Sequence, residues 1–159
     1  MSIDYMFFDY REEQYTSMFR IWAIAETLDR NSKGRNVLTL NKALLIDLIV
    51  KNPSLFRRTC EFLSGKGTAR MVGDVLYSTH VDKSHRTRQK DFLAKVLLLQ
   101  KDGVVNFFRE EEDYYLQCLQ PLPISEDESL IHLKSQLVAI KGILSKSDAI
   151  IEKMILGAE

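Results

Sequence analysis

The sequence predicts a mainly α fold of the α+β class, in which helices lead into a β-hairpin wing and a long helix closes the chain. Three observations predict it. Residues 86–119, RTRQKDFLAKVLLLQKDGVVNFFREEEDYYLQCL, read as a helix, a glycine stop and a two-stranded ribbon in immediate succession. Helical patterns with apolar residues three or four apart precede that stretch, which gives the element order of a winged helix. A last helix, set off by prolines, then carries an apolar seam. The expected organisation is a winged-helix domain with N-terminal helices over 1–120 and a C-terminal heptad helix over 121–159.

The first residues, MSIDYMFFDY, are expected to be extended or loosely held. From Arg11 to about Asn31, the spacing of Tyr15, Met18, Phe19, Trp22, Ala25 and Leu28 predicts a helix, which Asn31 to Gly34 ends. Val37 and Leu38 suit a short strand. Thr39 then caps a second helix running through Leu44, Leu45, Leu48 and Ile49 until Pro53 prevents continuation. A third helix, starting at Ser54, carries Leu55, Phe56, Cys60, Phe62 and Leu63, and Ser64-Gly65-Lys66-Gly67 breaks it. Residues 68–82 fit either a short helix around Met71 to Tyr77 or an ordered loop.

The helix before the ribbon places Phe92, Leu93, Val96, Leu97 and Leu99 on one broad apolar face and stops at Gly103 just after Lys101. Val104, Val105, Phe107 and Phe108 precede a charged loop from Arg109 to Asp113, and Tyr114, Tyr115, Leu116, Cys118 and Leu119 follow it. This is strand chemistry around a turn. Pro121 and Pro123 lead to Ser125-Glu126-Asp127-Glu128, an acidic capping pattern at the positive end of a helix dipole. Beyond it Leu130, Leu133, Leu137, Ile140, Leu144, Ile151 and Met154 alternate by threes and fours, skipping only Ser147. Such a seam serves either as core of its own domain or as a dock for another chain. These seven residues are the candidate partner-binding set.

At 159 residues the chain is long enough to bury about 70% of the surface its unfolded form would expose, so one self-sufficient domain with an appended element is expected. Lys plus Arg and Asp plus Glu are both 22, and a formal net charge of zero disfavours a histone-like binder. Cys60 and Cys118 form no CxxC and have no metal-ligand spacing with His80, His85 or His132, so both are expected to be small buried residues. The N-terminus lacks the basic region of a secretion signal, and the apolar run at 43–50 is interrupted by Asp47 and far shorter than a membrane span. A cytoplasmic protein without a membrane partner is expected.

Lys83, His85, Arg86, Arg88, Lys90 and Lys95 gather at the start of the helix before the ribbon, with only Asp91 opposing them between Lys83 and Lys95. Cations in a first turn work against the helix dipole by about 0.3 to 1 kcal/mol each, so helix stability does not explain them. Either an anionic partner or a solvated face does. Lys83, Arg86, Arg88, Lys90 and Lys95 are therefore the candidate nucleic-acid-binding residues. Against groove insertion stands the wing tip, where Glu110, Glu111, Glu112 and Asp113 would be repelled by phosphate; that favours protein contact, or DNA contact through the helix alone, unless the tip is only a solubilising loop. Ser64-Gly65-Lys66-Gly67-Thr68 lacks the GxxxxGK[ST] order of a phosphate loop, and GxSxG, HExxH and GxGxxG are absent. A non-catalytic protein without cofactor or metal is expected.

The run Leu38-Thr39-Leu40-Asn41-Lys42-Ala43-Leu44-Leu45-Ile46-Asp47-Leu48-Ile49-Val50-Lys51-Asn52-Pro53 resembles the early helix of the middle components of bacterial ABC-three-component systems. There an apolar helix with an embedded aspartate runs toward a proline and a winged-helix core follows; Asp47 and Pro53 match. Lys101-Asp102-Gly103-Val104 resembles that family's turn into its ribbon. The resemblance covers most of the chain in element order, while residues 68–82 and the acidic wing have no counterpart in it. It implies a small accessory subunit that bridges or regulates an SMC-like or Rad50-like ATPase and an effector, as in Lamassu-type anti-phage and anti-plasmid defence. The ATPase would hold ATP and Mg and clamp DNA, with DNA contact by this chain made within the complex. The residues alone also allow a DNA-binding transcriptional regulator using Lys83, Arg86, Arg88 and Lys90, and they leave homodimerisation open.

Overall fold

The computed structural model describes residues 3–65, 89–123 and 127–156, which are mainly helical with one antiparallel hairpin. The first helix, α1 (Ile3–Leu28), begins well before Arg11, so the expected extended start is helical instead. The reason is local: no glycine or proline interrupts the chain before Leu28, and a helix nucleated downstream propagates back through such residues. It stops at a tight turn in which the Asn31 side-chain oxygen accepts from the amides of Lys33 and Arg35, while Gly34 takes a φ of 76°.

The expected strand at Val37 and Leu38 is reduced to one isolated bridge, Thr39 to Tyr115, with the Leu116 amide donating to the Leu38 carbonyl at 3.0 Å. No longer strand can form, because Thr39 turns at once to cap α2 (Leu40–Lys51), its side chain accepting from the Lys42 amide. Asn52 then serves two helices. Its amide donates to the Ile49 carbonyl at the end of α2, and its side chain accepts from Ser54 and Leu55 at the start of α3 (Pro53–Leu63), where Pro53 occupies the first turn. Ser64 caps α3 and Gly65 takes a φ of 78°.

The expectations for residues 66–88, including the segment 68–82, lie outside the described residues. Helix α4 is described over 89–101. It ends as the sequence predicts: the Val104 amide donates to the Leu99 carbonyl, the Gly103 amide to that of Gln100, and Gly103 takes a φ of 76°. Buried Phe92, Val96 and Leu99 define its inner face. Leu97, expected on that face, is 47% exposed. Strand β1 (Val105–Glu110) pairs with β2 (Asp113–Cys118) from Val105 opposite Cys118 to Glu110 opposite Asp113, so only Glu111 and Glu112 form the loop.

The closing segment is not one long helix. Helix α5 (Glu128–Ala139) is capped by Asp127, passes into a 3-10 turn (Lys141–Ser145), and is followed by α6 (Asp148–Leu156). Ser147, where the apolar alternation skips, starts α6: its hydroxyl accepts from the Ile150 amide and its carbonyl from that of Ile151. The break turns the seam inward. Leu137, Ile140, Ile151, Leu144 and Met154 are buried in this chain's own core, and Leu130 and Leu133 pack against it half-buried. Five of the seven seam residues are thus core positions and the other two flank it, which is the core alternative of the two that the seam allows. Residues 127–156 share that core with the earlier helices; the Arg58 guanidinium of α3 donates to the Met154 carbonyl, and Asn41 of α2 donates to Asp148.

Two polar sets fix the packing of α1. On α2, buried Asp47 accepts from the Arg20 Nε of α1, with Lys51 Nζ at 3.3 Å. Trp22 and Glu26 of α1, and Asp29 just past its end, bind the chain leaving the hairpin. The Trp22 indole donates to the Gln120 carbonyl at 2.8 Å, Glu26 accepts from the Leu122 amide and from Lys134 of α5, and Asp29 accepts from the Cys118 amide at 3.0 Å.

Replacing Asp47 by Ala strands the largely covered Arg20 guanidinium, 13% exposed, and should cost about 3 kcal/mol, read as a lower urea midpoint at unchanged slope. Leu137→Asp and Leu144→Asp each bury an unpaired carboxylate and should abolish the cooperative thermal transition seen by circular dichroism. A stable helical L137D protein would return the seam to the surface.

Candidate interaction surface

The hairpin is built as a stiff projection. Val105, Phe107 and Arg109 share one face with Cys118, Leu116 and Tyr114, and the fully buried Val105 and Leu116 root that face in the core. Phe107 stacks with Tyr114 at 5.2 Å between ring centroids, and on the other face Phe108 stacks with Tyr115 at 6.0 Å. Cross-strand aromatic pairs of this kind hold register and resist fraying. Beyond them Arg109 donates from Nε to the Glu111 carbonyl at 3.2 Å and lies over the Tyr114 ring. Glu111 itself takes a φ of 58°, as a two-residue hairpin loop requires.

Glu110, Glu111, Glu112 and Asp113 are all exposed at the tip. Their field is felt by Tyr115, whose hydroxyl is pushed up by loss of hydration first and then by Asp113, Glu110 and Glu111. A phosphate brought to this tip would meet the same repulsion.

Of the five cations expected to meet nucleic acid, Lys83, Arg86 and Arg88 lie outside the described residues. Lys90 is exposed on the first described turn of α4. Lys95 is not presented outward. Its side chain is 15% exposed, and its Nζ is held 3.0 Å from both Asp91 on α4 and the Ser17 hydroxyl on α1. That ammonium directs two of its three donors to groups within the fold, which makes it the less available of the two described cations.

Leu40, Leu44, Phe92 and Leu93, together with Asn41, Gln89 and Lys90, line a cleft of about 490 Å³ between the first turns of α2 and α4. Its walls are mainly apolar. Asn41 is already engaged with Asp148 and Glu152, so the cleft suits an apolar side chain better than a charged ligand. Among the described residues no group of three or more His, Cys, Asp or Glu is gathered as a metal site, and no helix is long and apolar enough to cross a membrane.

Two features escape a reading by periodicity. Leu97, Leu98, Tyr114 and Leu119 are exposed at the end of α4 and on the hairpin, although apolar spacing suggests core. The stripe of Trp22 and Glu26 on α1 and Asp29 just past its end was not singled out, because its partners lie about 90 residues or more away. The stripe also sets the chemistry of Cys118, which is half-buried like Cys60. Burial pushes the Cys118 thiol up, the Trp22 indole opposes this, and Glu26 and Asp29 add to it, leaving a protonated, weakly nucleophilic sulfur.

A scan against protein-family models, a search of curated proteins and a search of solved structures each return no match to this chain.

Proposed function

We propose that the chain is a winged-helix accessory subunit without catalytic activity, which bridges or regulates an SMC-like or Rad50-like ATPase and its effector in a bacterial anti-phage or anti-plasmid defence complex. The observation that carries the reading is the way the hairpin is joined to the helices. A glycine-terminated helix feeds β1, and the returning β2 is stitched to the 38–39 segment between α1 and α2. Helix, edge segment, helices and hairpin follow one another in the order a winged helix has, which supports that reading. The aspartate of the resemblance to middle components, Asp47, is the buried partner of Arg20, a role that gives its place in an apolar helix a physical reason.

Protein contact is favoured over direct DNA contact by the surface chemistry. The projecting tip is acidic, Lys95 is turned inward, and apolar Leu97, Leu98, Tyr114 and Leu119 are exposed. A bridging subunit needs such a surface, whereas a stand-alone regulator needs a basic wing. Contact with DNA fits best as a contribution of Lys90, with Lys83, Arg86 and Arg88, made while the larger partner holds the duplex.

Co-expression with the products of adjacent genes tests the proposal. The chain should be retained with an SMC-like ATPase through affinity purification and gel filtration; recovery as a lone monomer would count decisively against it. Alone, it should bind duplex DNA weakly or not at all. Tight binding that falls by about 0.9 log units per log unit of salt for each phosphate contacted would favour a transcriptional regulator instead.

A further inference from the structure

The hairpin has two edges, and among the described residues only one is used. In an antiparallel pair each residue directs both its amide and its carbonyl either to the partner strand or away from it. The Leu116 amide donates outward to Leu38 and the Cys118 amide outward to Asp29, so the pairs Leu116 with Phe107 and Cys118 with Val105 are the ones that do not exchange hydrogen bonds. It follows that Val105, Phe107 and, by alternation, Arg109 direct their backbone groups to the outer edge of β1. Among the described residues no backbone or side-chain group bonds to that edge.

We infer that the outer edge of β1 is a docking site for an extended segment of a partner protein, added as a third strand and carrying Lys or Arg where it passes the tip. Three features argue for that occupant. The edge strand is held in register by two cross-strand aromatic stacks and rooted by buried Val105, so it needs little ordering on binding. Phe107 and Phe108 flank it half-buried, one on each face, and a strand laid alongside would cover both. The four exposed carboxylates at one end select a basic side chain in the added strand and oppose a nucleic-acid backbone. This inference rests on the accessory-subunit reading for the existence of the partner, and it names the surface and chemistry by which that partner is held.

Arg109 allows a clean test, because its amide points to the free edge and its side chain is exposed. Arg109→Pro removes the amide, a change tolerated at a strand edge, and Arg109→Ala removes only the side chain. Full-length wild-type, R109A and R109P chains are co-expressed with the adjacent-gene products and purified on a tag carried by this chain. The expected result is near wild-type partner recovery with R109A and a loss of about tenfold or more with R109P. In parallel, amide hydrogen exchange at Phe107 and Arg109 in the wild-type complex should slow relative to the free chain, a readout that stands even if R109P fails to fold. Equal recovery by a folded R109P, or unchanged exchange at both amides, overturns the inference while leaving the accessory reading intact. No recovery by the wild type overturns both. A homodimer of the isolated chain in sedimentation that R109P dissolves would make a second copy the occupant and overturn the heterologous partner.

Discussion

The contact on which the rest of this fold depends is the ion pair between Arg20 and Asp47, because it sets α1 on α2 at the edge of a mainly apolar core. A buried carboxylate is costly unless a counter-charge is held against it, so the two helices have one register in which Asp47 is tolerated rather than many of similar stability. Hydrophobic burial alone would not choose so sharply, since Ile21, Ile24, Ile46 and Ile49 could slide past one another with little loss of buried area. The choice propagates in both directions from α1. Fixing α2 fixes Leu38 and Thr39 just before it, and those residues meet β2; along α1 and just past its end, Trp22, Glu26 and Asp29 hold the chain as it leaves β2. The hairpin is thus positioned along its β2 edge by two routes from α1, one through α2 and one direct.

What could be read in the sequence was local chemistry. Thr39, Pro53 and Gly103 act through their own backbone preferences and nearest neighbours, and each starts or stops a helix where those preferences require. The hairpin is legible for the same reason, since a short charged turn between β-branched and aromatic residues has few alternatives. The helical N-terminus was hidden by the opposite logic: its residues carry no strong start signal, and what decides them is the absence of a stop.

The seam at the C-terminus shows a different limit. Apolar residues every three or four positions satisfy a coiled coil and a core helix equally, and the pattern does not say what lies opposite. The missing member at Ser147 carried the information, because a small hydroxyl residue within an apolar repeat is a helix start as well as a gap. The first of the two helices ends at Ala139 and the second starts after Ser147, so that α5 packs chiefly on α1 while α6 packs on α2 and α3. The candidate site was legible to a similar extent. The acidic tip follows from four adjacent letters, whereas the inward turn of Lys95 depends on Ser17, 78 residues earlier. The direction of the backbone groups in β1 depends on a register that composition does not encode.

An edge strand left open is a hazard as well as an opportunity, and the same residues bear on both. A long, flat, apolar edge templates aggregation, and proteins blunt such edges by keeping them short and ending them in charge. Here β1 is six residues long, ends in Glu110, and leads into three more carboxylates. Parallel pairing of two copies would bring two acidic tips together and is opposed. Antiparallel pairing would separate the tips, but gains nothing from them, since Val104 rather than a cation would come to lie near Glu110. A foreign strand with a basic residue at that end does gain from them. Main-chain hydrogen bonds to Phe107 and Arg109 would supply affinity with little regard to sequence, and the tip would supply the discrimination that those bonds lack. The charge that argues against nucleic acid at this hairpin is therefore the feature that would give the proposed strand site its preference among proteins.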